Sequence, residues 1–198
     1  MPAKPSRESS TKARRQSILS AALDCFCDKG VEATAVADIQ RRAKCSVGSL
    51  YHHFGSKEGV AEELFIVAIQ QLNGGMLRKL KHCRGAEESV KAVVFFYSDW
   101  STRNPKLARY LHSRDIDFSP QAKTRLRTLH SEYITNVFTW FASFVERGDM
   151  AVLPVEAYVP LISGPIQEYT RRWLAGQAGS PTEVEALFAQ AAWNAVKG

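Results

Sequence analysis

Positions 45 to 58 read CSVGSLYHHFGSKE. Ser46, Ser49, Tyr51, His52, His53 and Lys57 fall within this run and could serve three kinds of chemistry. A hydroxyl beside a basic group could be an activated nucleophile. Paired histidines could ligate a metal. Hydroxyls, an ammonium and the N–H groups of a helix start could grip phosphate. Spacing decides among them. His52 and His53 are adjacent, so on a helix they diverge by about 100° and do not converge on one ion. No two of Cys25, Cys27, Cys45 and Cys83 have the C-x-x-C spacing of a zinc or redox site, and all four read as reduced thiols acting as small hydrophobes. Tyr51 and Lys57 are not at the i, i+4 spacing of the dehydrogenase pair, and no Gly-rich nucleotide loop precedes them. No catalytic residue, metal ligand or cofactor is therefore assigned, and the expectation is a protein that is not an enzyme. A helical enzyme using Ser46, Tyr51 and Lys57 is kept as a rival from another class.

The elements that would position these residues are all helices. Ile18, Leu19, Ala22, Leu23 and Phe26 form one apolar stripe on a helix over 11–29, closed by Gly30. Thr34 reads as the N-cap of a short second helix with Val36, Ile39 and Ala43 inward. After the break Lys44-Cys45-Ser46, Ser46 caps a third helix from Val47 to about Phe54. Gly55 closes it, and Ser56 caps a fourth over about 57–81, in which Gly74-Gly75 predicts a kink or break. Further helices are predicted at 86–103, 105–113, 119–147, 155–175 and 181–196, the fourth of these bent or delayed by Pro160, Gly164 and Pro165. There is no strand alternation bounded by hairpin turns and no internal repeat. The expected fold is all-α. Its expected division is a flexible basic arm at 1–10, a helix-turn-helix unit at 11–56 and a larger unit at 57–198.

Charge separates the two units. Residues 1–57 hold ten Lys/Arg against five Asp/Glu, and residues 58–198 hold sixteen against fifteen. Excess positive charge confined to the first unit points to a polyanionic partner there. No apolar stretch is long enough to span a bilayer, and no signal-peptide core follows the first charges, so the expected location is the cytoplasm, with no membrane partner.

A helix, a three-residue turn and a second helix form the pattern that lays the second helix in the DNA major groove. The stretch GVEATAVADIQRRAKCSVGSLYHHFGSKEGV, residues 30–60, resembles the DNA-binding signature of the tetracycline-repressor (TetR) family. Gly30, Thr34, Val36, Ile39, Ala43, Ser46, Gly48, Leu50, Tyr51, His53, Phe54, Lys57 and Glu58 carry that likeness. Two positions depart from it: Lys44 stands where the family usually has Gly, and Gln40 where it has Ala. Lys44 must then take positive φ or the turn must differ. The resemblance implies that Thr34 and Ser46 contact phosphates near helix starts and that Lys57 grips another. It implies that Val47, Ser49 and His52 face the bases, and that Tyr51 meets a phosphate or a thymine methyl. Lys44 adds charge where a phosphate would pass, and Gly48 lets the backbone lie close to DNA. Lys12, Arg14 and Arg15 would add phosphate or minor-groove contacts.

In the second unit Tyr97, Trp100, Tyr110, His112, His130 and Tyr133 could line an apolar pocket with a few hydrogen-bonding groups. The last two helices carry apolar faces: Leu161, Ile162, Ile166 and Tyr169, then Val184, Leu187, Phe188 and Ala191. By resemblance, the first set binds a small-molecule effector and the second pairs two copies as a homodimer. The implied protein is a ligand-responsive repressor of a double-stranded DNA operator. A DNA-binding regulator without a small effector is the other alternative.

Overall fold

The computed structural model describes residues 7–113 and 116–198. The first six residues of the expected arm lie outside this range.

Nine α-helices occupy the described residues: α1 (Arg7–Lys29), α2 (Val36–Ala43), α3 (Val47–Phe54), α4 (Lys57–Leu80), α5 (Ala86–Arg103), α6 (Pro105–His112), α7 (Pro120–Glu146), α8 (Val155–Leu174) and α9 (Glu185–Val196). A single 3-10 turn, Pro181–Glu183, precedes α9. The only extended pairing among the described residues is an isolated bridge between Met150 and Lys197. None of the described helices is long and apolar enough to cross a membrane. The fold is thus all-α, with α1 already helical at Ser9 and Ser10, where the sequence predicted an arm.

The chain forms two compact units. One comprises the chain up to Ala68 together with Tyr110–Arg125, and the other Ile69–Arg109 with Leu126–Gly198. The division falls within α4 and takes 57–68 and 110–125 with the first unit, whereas the sequence reading placed a boundary at 56.

In the first unit Ile18, Leu19, Ala22 and Phe26 of α1 are buried with Ile39, Ala43, Leu50, Val60 and Leu64. Helical periodicity brings these residues to facing stripes, and their removal from water drives the packing. Tyr110 completes this core. Its ring stacks on Phe26 with centroids 5.9 Å apart, and its hydroxyl donates to the Ala61 carbonyl at 2.8 Å. Desolvation raises its phenol pKa far above the ordinary value.

The second unit has its own core, built from Met76, Leu80, Val90, Val94, Tyr97, Phe141, Phe144, Tyr158, Ile162, Ile166 and Val196. The expected break at Gly74-Gly75 is absent, because α4 runs unbroken to Leu80. Gly75 serves packing instead: a Cβ there would lie 2.5 Å from the tip of the Phe96 ring. Pro160 and Pro165 lie inside α8, which spans Val155–Leu174 as a single helix.

Candidate nucleic-acid interface

The α2–α3 turn is closed from α1. Lys44 takes left-handed backbone, φ 48° and ψ 51°, and its N–H reaches the Gln40 carbonyl. It is the sole non-glycine with positive φ among the described residues. Arg14 Nη1 donates to the Lys44 carbonyl at 3.2 Å, and Ser17 Oγ to that of Ala43 at 3.3 Å. These bonds satisfy acceptors that a helix end leaves open.

Ser46 then starts α3. Its Oγ accepts the Ser49 N–H at 3.2 Å, the ordinary N-cap bond, and its own hydroxyl proton is still available to donate. Leu50 is fully buried and anchors the helix. On the opposite side Ser46, Gly48 and His52 are exposed, with Val47 at 43% and Tyr51 at 48% exposure. Val47 and Tyr51 lie four apart, as do Gly48 and His52, so these residues share neighbouring positions along one face. Ser49 is half-buried at its edge. A Cβ at Gly48 would meet nothing within 4 Å, so the protein's own packing does not require glycine there.

His53 is half-buried. Burial first, then His52, Arg15 and Arg14, hold its imidazole below the ordinary histidine pKa. Among the described residues no three His, Cys, Asp or Glu side chains are grouped to hold a metal.

Two expected phosphate contacts are engaged elsewhere. Thr34 is 1% exposed, and its Oγ1 donates to the Gly30 carbonyl at 2.6 Å and to that of Cys25 at 3.3 Å. It closes the end of α1, its hydroxyl is withdrawn from any phosphate, and the N-cap of α2 is Ala35. The Ala35 N–H is held by the Asp38 carboxylate at 3.2 Å, a group that Lys29 also binds. Lys57 Nζ donates to the Glu32 carbonyl at 2.9 Å with its side chain 18% exposed, which leaves further ammonium protons but little reach.

The other expected sites fare differently. Tyr110, as core of the first unit, lines no pocket, and His112 belongs to that unit as well. In the second unit Tyr97 is buried and Tyr133 packs against the same core, desolvation pushing each phenol up to about 12. Trp100 is half-buried and His130 exposed. An apolar cleft does exist there, lined by Ile134, Val137, Phe138, Phe141, Val155 and Tyr158 among others, but by none of the six predicted residues. On the expected pairing face Ile162 and Ile166 are 4% and 0% exposed within the unit's own core, so they are not available to a twin. Leu161, Leu187 and Ala191 are exposed, and Tyr169, Val184 and Phe188 are half-buried.

A bracing helix, a tight turn and a short helix with an exposed apolar-and-polar face define a helix-turn-helix protein of the all-helical type. Residues 18–64 match the model of the bacterial regulatory proteins of the tetR family. The chain belongs to that family. It is 45% identical over 60 residues to the HTH-type transcriptional repressor KstR2 of Mycolicibacterium smegmatis, covering 30% of this chain and 29% of that one. It is 47% identical over 49 residues to the A-factor receptor protein of Streptomyces griseus, covering 25% and 18%. The chain thus matches less than a third of the length of either curated relative. Over nearly its whole length it shares its fold with the regulator FadR of Bacillus subtilis, solved in complex with stearoyl-CoA. That likeness has a TM-score of 0.78 at 18% identity, covering 89% of this chain and 96% of that one.

Proposed function

We propose that the protein is a homodimeric, ligand-responsive transcriptional repressor that reads double-stranded DNA through α3. The observation that carries this reading is the exposed face of that helix. Val47 and Tyr51 leave apolar surface in water, and Gly48 costs helix stability without any internal need for it. A partner that approaches the backbone closely accounts for both. Ser46, Val47, Gly48, Ser49, Tyr51 and His52 form the contact set, with Lys44 beside a phosphate; Thr34 and Lys57 shape the unit from within.

One eight-residue helix buries too little surface for selective binding, and two copies read two half-sites. Exposed Leu161 on α8 and Leu187 on α9 supply apolar surface for pairing. The A-factor receptor and the stearoyl-CoA complex support an effector that is small and hydrophobic or amphipathic. The apolar cleft of the second unit fits such a class, although its volume, ≈ 20 Å³, is room for about one water, so binding would select a more open conformer. Lys57, the first residue of α4, follows Phe54, the last of α3, by three positions, so movement of α4 is carried along the chain to the reading helix.

The test is selection of bound duplexes from a random pool, then a screen for compounds that release the selected duplex. The expected outcome is one enriched palindromic site bound by a dimer. A pool that stays unenriched overturns the reading, and a selected site that no compound releases favours a regulator without an effector.

A further inference from the structure

We propose that Glu63 is a specificity-determining positioning residue for DNA reading, because it holds the Arg15 guanidinium on Phe54 and off the DNA phosphates. The inference rests on the reading function proposed for α3. Glu63 lies on the second turn of α4 with its side chain 15% exposed. One carboxylate oxygen takes Arg15 Nη2 at 2.5 Å, and the other takes Arg125 Nη1 at 2.9 Å. The Arg15 guanidinium carbon lies 4.8 Å from the centroid of the Phe54 ring. Phe54 is the last residue of α3.

The chemistry has two consequences. A guanidinium fixed over a ring face braces that ring through cation–π attraction and apolar contact. The end of the reading helix is therefore held against α1. The same guanidinium, once free, would be a mobile cation in the most basic part of the chain, drawn to any phosphate whatever the sequence. Glu63 decides between these states. Its orientation is itself secured by Arg125, and the neighbouring Glu62 carboxylate takes the Ser119 N–H at 2.5 Å, tying the same segment to α4. Charge-assisted bonds to both oxygens make the Glu63 carboxylate a defined anchor rather than a loose surface partner.

The experiment titrates the full chain with the duplex enriched from the random pool and with an unrelated duplex of equal length, across a range of salt. In Glu63→Gln the ratio of the two affinities is expected to fall about tenfold. Affinity for the unrelated duplex should rise, and the salt slope should steepen by about one unit, as one added phosphate contact requires. Glu63→Asp should recover much of the ratio. Arg15→Gln should weaken binding to the enriched duplex without raising affinity for the unrelated one. An unchanged ratio and slope in Glu63→Gln, or equal weakening toward both duplexes, overturns the proposal. If Glu63→Gln loses its helical circular dichroism, Arg15→Gln decides: unrelated binding that rises, or a wild-type ratio, overturns it. A wild-type chain that prefers no sequence fails the reading function itself, whereas wild-type preference with an unaltered Glu63→Gln fails only the assignment to Glu63.

Discussion

Arg14 reaches the carbonyl of Lys44 across 3.2 Å, so α1 closes the α2–α3 turn at the one residue whose backbone is left-handed. A side chain in that region costs about 1 kcal/mol or more, which glycine avoids. The bond from Arg14 goes to the backbone, so it survives replacement of the lysine side chain. Lys44→Gly is expected to raise unfolding free energy by about 0.5 kcal/mol, after the greater flexibility of glycine in the unfolded chain is offset. It should also lower the salt slope of DNA binding by about one unit if Lys44 meets a phosphate. Lys44→Ala separates the two effects: it keeps the strain and loses the charge. Urea unfolding and salt titrations measure them, and destabilisation by glycine would refute the strain argument.

Gly48 makes the opposite trade. Its would-be Cβ faces open space, so Gly48→Ala should stabilise the isolated protein by about 0.5–1 kcal/mol. The same methyl group would stand between the backbone of α3 and the groove. Affinity for the selected duplex should drop at least about tenfold, against the gain in stability. A variant that is both more stable and fully active in binding would show that the backbone does not approach DNA here.

Thr34 tests whether a residue acts from inside. Its hydroxyl serves two buried carbonyls, so Thr34→Val should cost about 1–2 kcal/mol of stability by leaving them unpaired. Affinity per folded molecule should stay at the wild-type level. Normal stability with weakened binding would restore the phosphate contact that the family resemblance implied.

The reading helix was legible because its signals are local. Ser46 and Gly55 bound it, Leu50 anchors it, and each acts within one turn. Long-range partnerships left no such trace. Lys57 meets a carbonyl 25 residues away, and Arg125 meets a carboxylate 62 residues away. Apolar periodicity located the stripes on α8 but did not say what covers them, so Ile162 and Ile166 were indistinguishable in sequence from residues awaiting a twin. Tyr110 shows the same limit: a polar-tipped aromatic fits a pocket wall or a hydrogen-bonded core, and only the Ala61 carbonyl decides. Gly74-Gly75 looked like a break because the ring of Phe96, which needs that space, lies on another helix.

His53 gives the fold a pH dependence whose sign follows from its surroundings. Burial, with His52, Arg15 and Arg14 nearby, makes the folded protein bind the imidazole proton less readily than the unfolded chain does. Above the unfolded pKa, about 6.5, both states are neutral at this site and stability is complete. As pH falls through that value the unfolded chain takes up more protons, so stability declines until the lower folded pKa has been passed. Thermal unfolding between pH 8 and 5 should therefore show a melting temperature that falls on acidification. His53→Gln should flatten that fall, because glutamine keeps a polar side chain of similar reach without titrating. A variant profile parallel to that of the wild type throughout the range would place the proton uptake at another group.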